Sequence, residues 1–222
     1  MSAHASIFRP ASPSWRASPT AQPDQAGVFE AQVVRWTGLA TGLARSAAEV
    51  SLASWEGVSW PADLASHACL LSQDGLGLIH YLQWRGPAPA AARGLDVLLP
   101  GVMREEVRAY RIYRSRVAMA GKTPGAVAVI SYRTASEQAA ERFVESMTDA
   151  SLEAPAGLIA GHYHVARDGS QVLNYAEWTD PDANSAFRGS RAQAVFTRIV
   201  EASPGVEPAG GALYLPFARR TS

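Results

Sequence analysis

The chain has 222 residues, 47% hydrophobic and 18% charged, and its 20 basic residues balance its 20 acidic ones to a formal net charge of zero. Such a chain lacks the clustered Lys and Arg that nucleic-acid phosphates demand, and no run approaches the roughly 18 apolar residues of a membrane span, so neither nucleic acid nor a membrane is an expected partner. Cys69, the single cysteine, has no internal partner, and the start of the chain lacks a charged stretch followed by an apolar one; both fit a cytoplasmic protein.

Residues 1–25 are rich in Pro, Ser and Ala with no apolar period, which predicts a disordered or loosely packed arm. Val28 to Trp36 is a β-branched run that reads as a strand, and Thr37 is placed to cap a helix from Gly38 to about Ala53. Two strands follow Pro61, joined at Asp74-Gly75, a dipeptide that signals a tight hairpin. A second helical stretch begins after Pro87, and Val107 to Val117 closes the set as a strand. After a linker at residues 119–124, Gly125 to Arg133 again reads as a strand, with Thr134-Ala135-Ser136 as the cap. The helix from Glu137 to about Ala150 carries an apolar stripe of Ala140, Phe143, Val144 and Met147. Two strands after Pro155 join at Asp168-Gly169, a helix follows Pro181, and Ala212 to Phe217 is the last strand.

The two halves repeat one another. Gly75 and Gly169, Tyr81 and Tyr175, Trp84 and Trp178, and Pro87 and Pro181 are each 94 residues apart, and Pro61, Ala62 and Leu64 fall on Pro155, Ala156 and Leu158 in the same frame. A period of this length matches a small domain, which predicts a duplication with domains at 26–118 and 125–222. Each repeat runs strand, helix, strand, strand, helix, strand. The fold class is therefore α+β: tandem ferredoxin-like (βαββαβ) repeats forming an intrachain pseudo-dimeric α/β barrel, in which each bare sheet face covers the other. Pairing of two such chains into a further homodimer stays open.

Strand side chains alternate between faces with period two, so the hairpins assign them. With Asp168-Gly169 as a two-residue turn, Asn174 lies opposite Tyr163, and Val172, Ala176 and Trp178 share that face. His162, His164, Leu173, Tyr175 and Glu177 take the other. In the first repeat the same rule groups His67, Cys69, His80, Leu82 and Trp84.

The segment Asn174-Tyr175-Ala176-Glu177-Trp178-Thr179-Asp180-Pro181 resembles the central strand of the antibiotic biosynthesis monooxygenase superfamily, the dimeric α/β-barrel proteins of aromatic polyketide pathways. The resemblance covers both repeats, from about residue 26 to 218, and is of the fused two-copy kind. It implies a pocket between sheet and helices lined by an Asn and a Trp four residues apart, matched by Asn174 and Trp178. It also implies that a phenol or anthrone is oxidised by O2 without flavin, haem or metal, O2 being the co-substrate. The substrate is then a small aromatic polyketide in antibiotic or pigment biosynthesis. An Asn amide and an indole N–H suit that chemistry as hydrogen-bond donors to developing negative charge.

The same resemblance marks departures. The first strands, Val28 to Trp36 and Val127 to Tyr132, lack the second Asn of some members, and His80 stands where the second repeat has Asn174. The two pockets are therefore chemically unequal. His80 and Trp84 are the catalytic candidates of the first repeat, beside Asn174 and Trp178 of the second. Tyr163, His67, Tyr175, Tyr81 and Arg198 are candidates for substrate binding.

Each has a plainer reading: the tryptophans as core, His67 and His80 as satisfied core histidines rather than a general-base pair, and Arg198 as a solvent-facing helix residue. His162 and His164 point the same way and could ligate a metal with Glu177, but a polar barrel interior accounts for them and no metal is expected. Two further functions remain beside the oxygenase. One is a non-redox polyketide cyclase or aromatase, the other a non-catalytic ligand-binding accessory protein. Haem degradation, known elsewhere in the superfamily, ranks below them because its residue pattern is not matched.

Overall fold

A computed structural model describes residues 27–28, 30–40, 42–55, 59–90, 103–104, 107–150 and 153–221. The arm predicted over residues 1–25 and most of the helix predicted after Pro87 lie outside these residues. The first half contributes β1 (Glu30–Thr37), α1 (Leu43–Ala53), β2 (Leu64–Ser72), β3 (Leu78–Trp84), the two-residue β4 (Met103–Arg104) and β5 (Arg108–Val117). The second contributes β6 (Ala126–Thr134), α2 (Glu137–Asp149), β7 (Leu158–Ala166), β8 (Gln171–Trp178), α3 (Pro181–Phe187), α4 (Arg191–Glu201) and β9 (Val206–Thr221).

All pairings are antiparallel, in the order β3-β2-β9-β6-β8-β7-β5-β1, and β1 pairs back onto β3 to close the ring. The chain thus forms one barrel from two ferredoxin-like repeats. The last strand of each repeat makes the join. β5 pairs with β1 through Arg108–Arg111 and with β7 through Tyr110–Val117, while β9 pairs with β6 through its first half and with β2 through its second. Closure leaves none of these eight strands with a bare edge, the usual hazard of an open sheet. An ion pair between Arg167 and Glu30 also crosses from one repeat to the other.

The hairpins hold the predicted register. Cys69 faces His80 and Tyr163 faces Asn174. At each turn the glycine takes a left-handed φ, 74° at Gly75 and 68° at Gly169, which a side chain would resist. The preceding aspartate closes the turn, Asp74 Oδ1 accepting from Leu76 N at 2.9 Å and Asp168 Oδ1 from Ser170 N at 3.0 Å.

Ser136 caps α2 as predicted, its hydroxyl accepting from Ala139 N, and the stripe Ala140, Phe143, Val144 and Met147 is buried. Thr37 caps no helix. It continues β1, paired with Met103 of β4, and α1 starts only at Leu43 after a glycine without a side-chain cap. The single helix expected after Pro181 is two, α3 and α4, capped separately by Asp180 and Ser190 and split at Gly189.

Three apolar layers result. Inside the barrel, Tyr81, Tyr110, Tyr175 and Tyr214 pack with Val127, Val129, Leu70 and Ile79. Outside it, α1 covers the first half through Trp36, Trp55, Leu64 and Leu82. In the second half α2 and α4 pack over Tyr132, Val165 and Val172, and α3 over Trp178.

Candidate active site

Between the second half of the sheet and its helices lies a cavity of about 190 Å³, larger than the roughly 150 Å³ that admits benzene in an engineered apolar core. Strands β6, β7 and β8 supply Ile130, Tyr132, Tyr163, Asn174 and Trp178 to its wall, and α3 and α4 supply Asn184, Phe187 and Phe196. Period two along β8 puts Asn174, Ala176 and Trp178 on this one face, as the register demands. Among the described residues of the wall none is charged.

Three polar atoms in that wall have no hydrogen-bond partner among the described residues: Asn174 Oδ1, Asn184 Oδ1 and the indole Nε1 of Trp178. Their residues are only 9%, 5% and 3% exposed. Leaving a buried donor or acceptor unpaired costs about 1–3 kcal/mol; such atoms also occur in the packed layers, at Trp36, Trp55 and Trp84, but these three face open space, where a polar ligand can meet them. Burial raises the ionisation of the Tyr163 and Tyr132 phenols, Tyr132 to about 12, so both hydroxyls remain protonated donors near neutral pH. Gly161 of β7 also lines the cavity, and a Cβ added there would meet nothing within 4 Å.

The structure thus brings together Asn174, Trp178 and Tyr163, and it leaves the other candidates elsewhere. His80, His67 and Trp84 sit in the packed layer under α1. His80 lies edge-on to Trp36 with ring centroids 5.4 Å apart, and His67 is 5.0 Å from Trp55. Ser51 of α1 directs its proton to Ala48 O and accepts from His80 Nε2 at 3.1 Å, so His80 Nδ1 is the acceptor for His67 Nε2–H at 2.8 Å. Burial holds both imidazoles neutral, His80 down to about 3. The pair lies in a packed layer, where large indoles fill the space that the second half leaves open.

Tyr81 and Tyr175 are not in the cavity wall either. Period two turns them into the barrel, where their rings stack at 4.7 Å. Arg198 lies on the exposed side of α4 and donates to Ala194 O within its own helix, away from the cavity.

The paired histidines of β7 also face the barrel interior. His164 directs Nδ1–H at the carbonyls of His162 and Leu173 and receives the Tyr81 hydroxyl on Nε2 at 2.7 Å; burial lowers its pKa to about 3. His162 bonds Ser115 through Nδ1 at 2.8 Å, with Glu177 at 3.9 Å from Nε2. Both nitrogens of His164 are committed, and among the described residues no three His, Cys, Asp or Glu side chains are grouped to hold a metal.

Asn184 was not singled out from the sequence. It sits on a seven-residue helix, too short to show an apolar period, and only the folding of α3 over β8 brings its amide to the cavity.

No family model and no curated protein matches the chain. Solved structures do. An anthrone oxidase-like protein is 17% identical, with a TM-score of 0.64 over 86% of this chain and 93% of its own. A ferredoxin-fold protein related to antibiotic biosynthesis monooxygenases, from Listeria monocytogenes, is 14% identical, with a TM-score of 0.51 over 86% and 95%. A heme-degrading enzyme from the same species is also 14% identical, with a TM-score of 0.50 over 84% and 98%. Each of these chains is covered nearly end to end, so the likeness spans both repeats. Among the described residues no helix is long and apolar enough to cross a membrane. The chain has the duplicated ferredoxin-like fold of the antibiotic biosynthesis monooxygenase-like proteins.

Proposed function

We propose that the protein is a monooxygenase that oxidises an electron-rich polycyclic phenol of the anthrone type with O2, using no flavin, haem or metal. The observation that carries this reading is the set of three unpartnered polar atoms on Asn174, Asn184 and Trp178 in an otherwise uncharged cavity. In the overall reaction a ring methylene loses two hydrogens and gains one oxygen atom as a carbonyl, and the second oxygen atom leaves as water. The difficult species is the electron-rich anion that passes an electron to O2.

No group in the cavity wall offers a charge to balance that anion. The wall acts instead through fixed hydrogen bonds: the Asn174 and Asn184 Oδ1 atoms accept from substrate hydroxyls, while the indole N–H of Trp178 and the protonated hydroxyls of Tyr163 and Tyr132 donate to the developing charge. Such donors cost no reorganisation at the moment of reaction and gain strength where water is excluded. Phe187, Phe196 and Ile130 hold the rings in place.

Dioxygen uptake with a hydroxyanthrone tests the reading. Asn174→Ala and Trp178→Phe each lower turnover by roughly one to three powers of ten. Unchanged rates in both variants sink the assignment. Ring closure of a polyketone without oxygen uptake identifies the cyclase, and tight product binding without turnover identifies the accessory protein. Activity is also expected to survive exhaustive EDTA treatment, with no flavin absorption band.

A further inference from the structure

The sheet side of the cavity carries a row of small residues. Gly161 of β7 pairs with Ala176 of β8, and Ala176 pairs with Ala128 of β6, so the three lie side by side across adjacent strands, and all three line the cavity. The neighbouring rows on this face stand taller. Tyr163, Asn174 and Ile130 pair to form one bank, and Leu158 pairs with Trp178 in the other. The small row is thus a trough running across the strands, about 10 Å long at a strand spacing of roughly 4.8 Å. At its β6 end it meets Leu213 of β9, which lies opposite Ala128 and is buried. Phe187 of α3 and Phe196 of α4 line the cavity from the helix side, their ring centroids 6.1 Å apart.

The first repeat has no such trough. In the 94-residue frame His67 and Leu82 hold the places of Gly161 and Ala176, and Gln32 lies opposite Leu82 as Ala128 lies opposite Ala176. Those larger side chains are fully buried in the first half, where His67 meets Trp55. Small size alone does not make a site. Here Trp178 stands on one bank and Asn174 on the other, each at least nine-tenths buried, and Trp178 Nε1 and Asn174 Oδ1 lack a hydrogen-bond partner among the described residues.

We propose that Gly161, Ala176 and Ala128 set the shape of the ring system that the site accepts: fused rings lie flat on the trough with their long axis across the strands, which selects a linear frame over an angular one. This rests on the ring site proposed above. Three linearly fused six-membered rings match the length of the trough. Their middle ring then lies on Ala176, with the Asn174 amide along one edge and the Trp178 indole along the other. An angular isomer keeps two rings in the trough and drives the third into a bank, against Tyr163 or Ile130 on one side and Leu158 or Trp178 on the other. A larger side chain at any of the three positions lifts the rings off the sheet and forfeits their dispersion contacts with it.

The test compares binding of 1,8-dihydroxyanthraquinone with that of angular isomers, dihydroxyphenanthrenequinones of the same formula, read by quenching of tryptophan fluorescence. The linear probe binds roughly ten-fold tighter or more, the penalty expected for forcing extra volume into a packed wall. Ala176→Leu and Ala128→Val each weaken the linear probe by roughly the same factor, whereas Ala128→Gly leaves its Kd within about two-fold. Far-UV circular dichroism checks that each variant is folded, and the linear-to-angular ratio is read on the wild type without any variant. Equal affinity for linear and angular probes, or a folded Ala128→Val variant that binds the linear probe as the wild type does, overturns the trough and leaves the ring site standing. Failure of every probe to bind removes the ring site and the trough together.

Discussion

The two spaces between helix and sheet follow one plan and are used differently. In each, the first strand of the repeat lies beside the hairpin, with Val34 opposite His80 in one and Ile130 opposite Asn174 in the other. Two residues further along, Trp36 fills the first space, whereas Tyr132 lines the second. His80 is met by His67, Ser51 and Trp36; Asn174 Oδ1, at the same place in the repeat, has no hydrogen-bond partner among the described residues. The lesson is a division of labour within a duplicated fold. The first half fills its space with indoles, whose Nε1 atoms at Trp36, Trp55 and Trp84 also lack a hydrogen-bond partner among the described residues, and the second leaves its space open as a cavity.

The largest effect that tests this division is on stability. Trp36→Ala is expected to cost about 3–5 kcal/mol by denaturant unfolding, the range for deleting a fully buried aromatic. Phe187→Ala, at the partly buried cavity wall, costs less, roughly 1–2 kcal/mol. An equal loss at both positions would mean that the second half is as closely packed as the first, and the comparison would fail.

The second test is on turnover. Trp84→Phe and His80→Gln should leave oxygen uptake within about three-fold of the wild type, against the one to three powers of ten expected for Asn174→Ala and Trp178→Phe. A folded first-half variant that loses turnover on the scale of Asn174→Ala would show that both halves act.

The pairing of Asn174 with Trp178 was legible because an Asp-Gly turn fixes hairpin register, and register fixes which side chains share a face. Other parts of the site were not. The closure of the first pocket depends on Ser51 and Trp55 meeting His80 and His67 across long sequence separations, and no local pattern encodes that. The last strand is far longer than Ala212 to Phe217. Pro208, Gly210 and Gly211 read as punctuation, yet the ladder continues through them by a bulge opposite Ser131 and Tyr132. Gly211 approaches β6 so closely that an added Cβ would lie 3.1 Å from Ile130, so the glycine there serves packing rather than a turn.

Buried histidines in both halves should make the fold respond to acid. His67 and His80 in the first half, and His164 in the barrel interior, all have their pKa values lowered by burial, His80 and His164 to about 3. The unfolded chain takes up protons on these residues near pH 6.5 and the folded chain does not. Stability is therefore full above about 6.5 and falls as pH drops toward 3, by up to about 1.4 kcal/mol per pH unit for each histidine. His80→Gln should flatten the dependence of Tm on pH between 6.5 and 4. An unchanged slope would show that His80 is solvated rather than packed. Among the described residues of the second cavity wall none is Asp, Glu, His, Lys or Arg, so binding of 1,8-dihydroxyanthraquinone by the folded protein should be level between pH 6 and 8.

The smallest stability effect bears most directly on the division. Gly161 lies on the cavity face of β7, its added Cβ would meet nothing within 4 Å, and its φ is not positive. A glycine inside a strand weakens it by roughly 0.5–1 kcal/mol relative to alanine, and here neither backbone strain nor a close contact requires one. Gly161→Val is thus expected to raise Tm slightly while its methyl groups occupy cavity space beside Tyr163, cutting both the binding of 1,8-dihydroxyanthraquinone and turnover. Gain of stability with loss of binding in one variant is the signature of a residue kept small for a ligand. If Gly161→Val instead binds and turns over normally, the ligand lies elsewhere, and the unpaired amides of Asn174 and Asn184 need another partner.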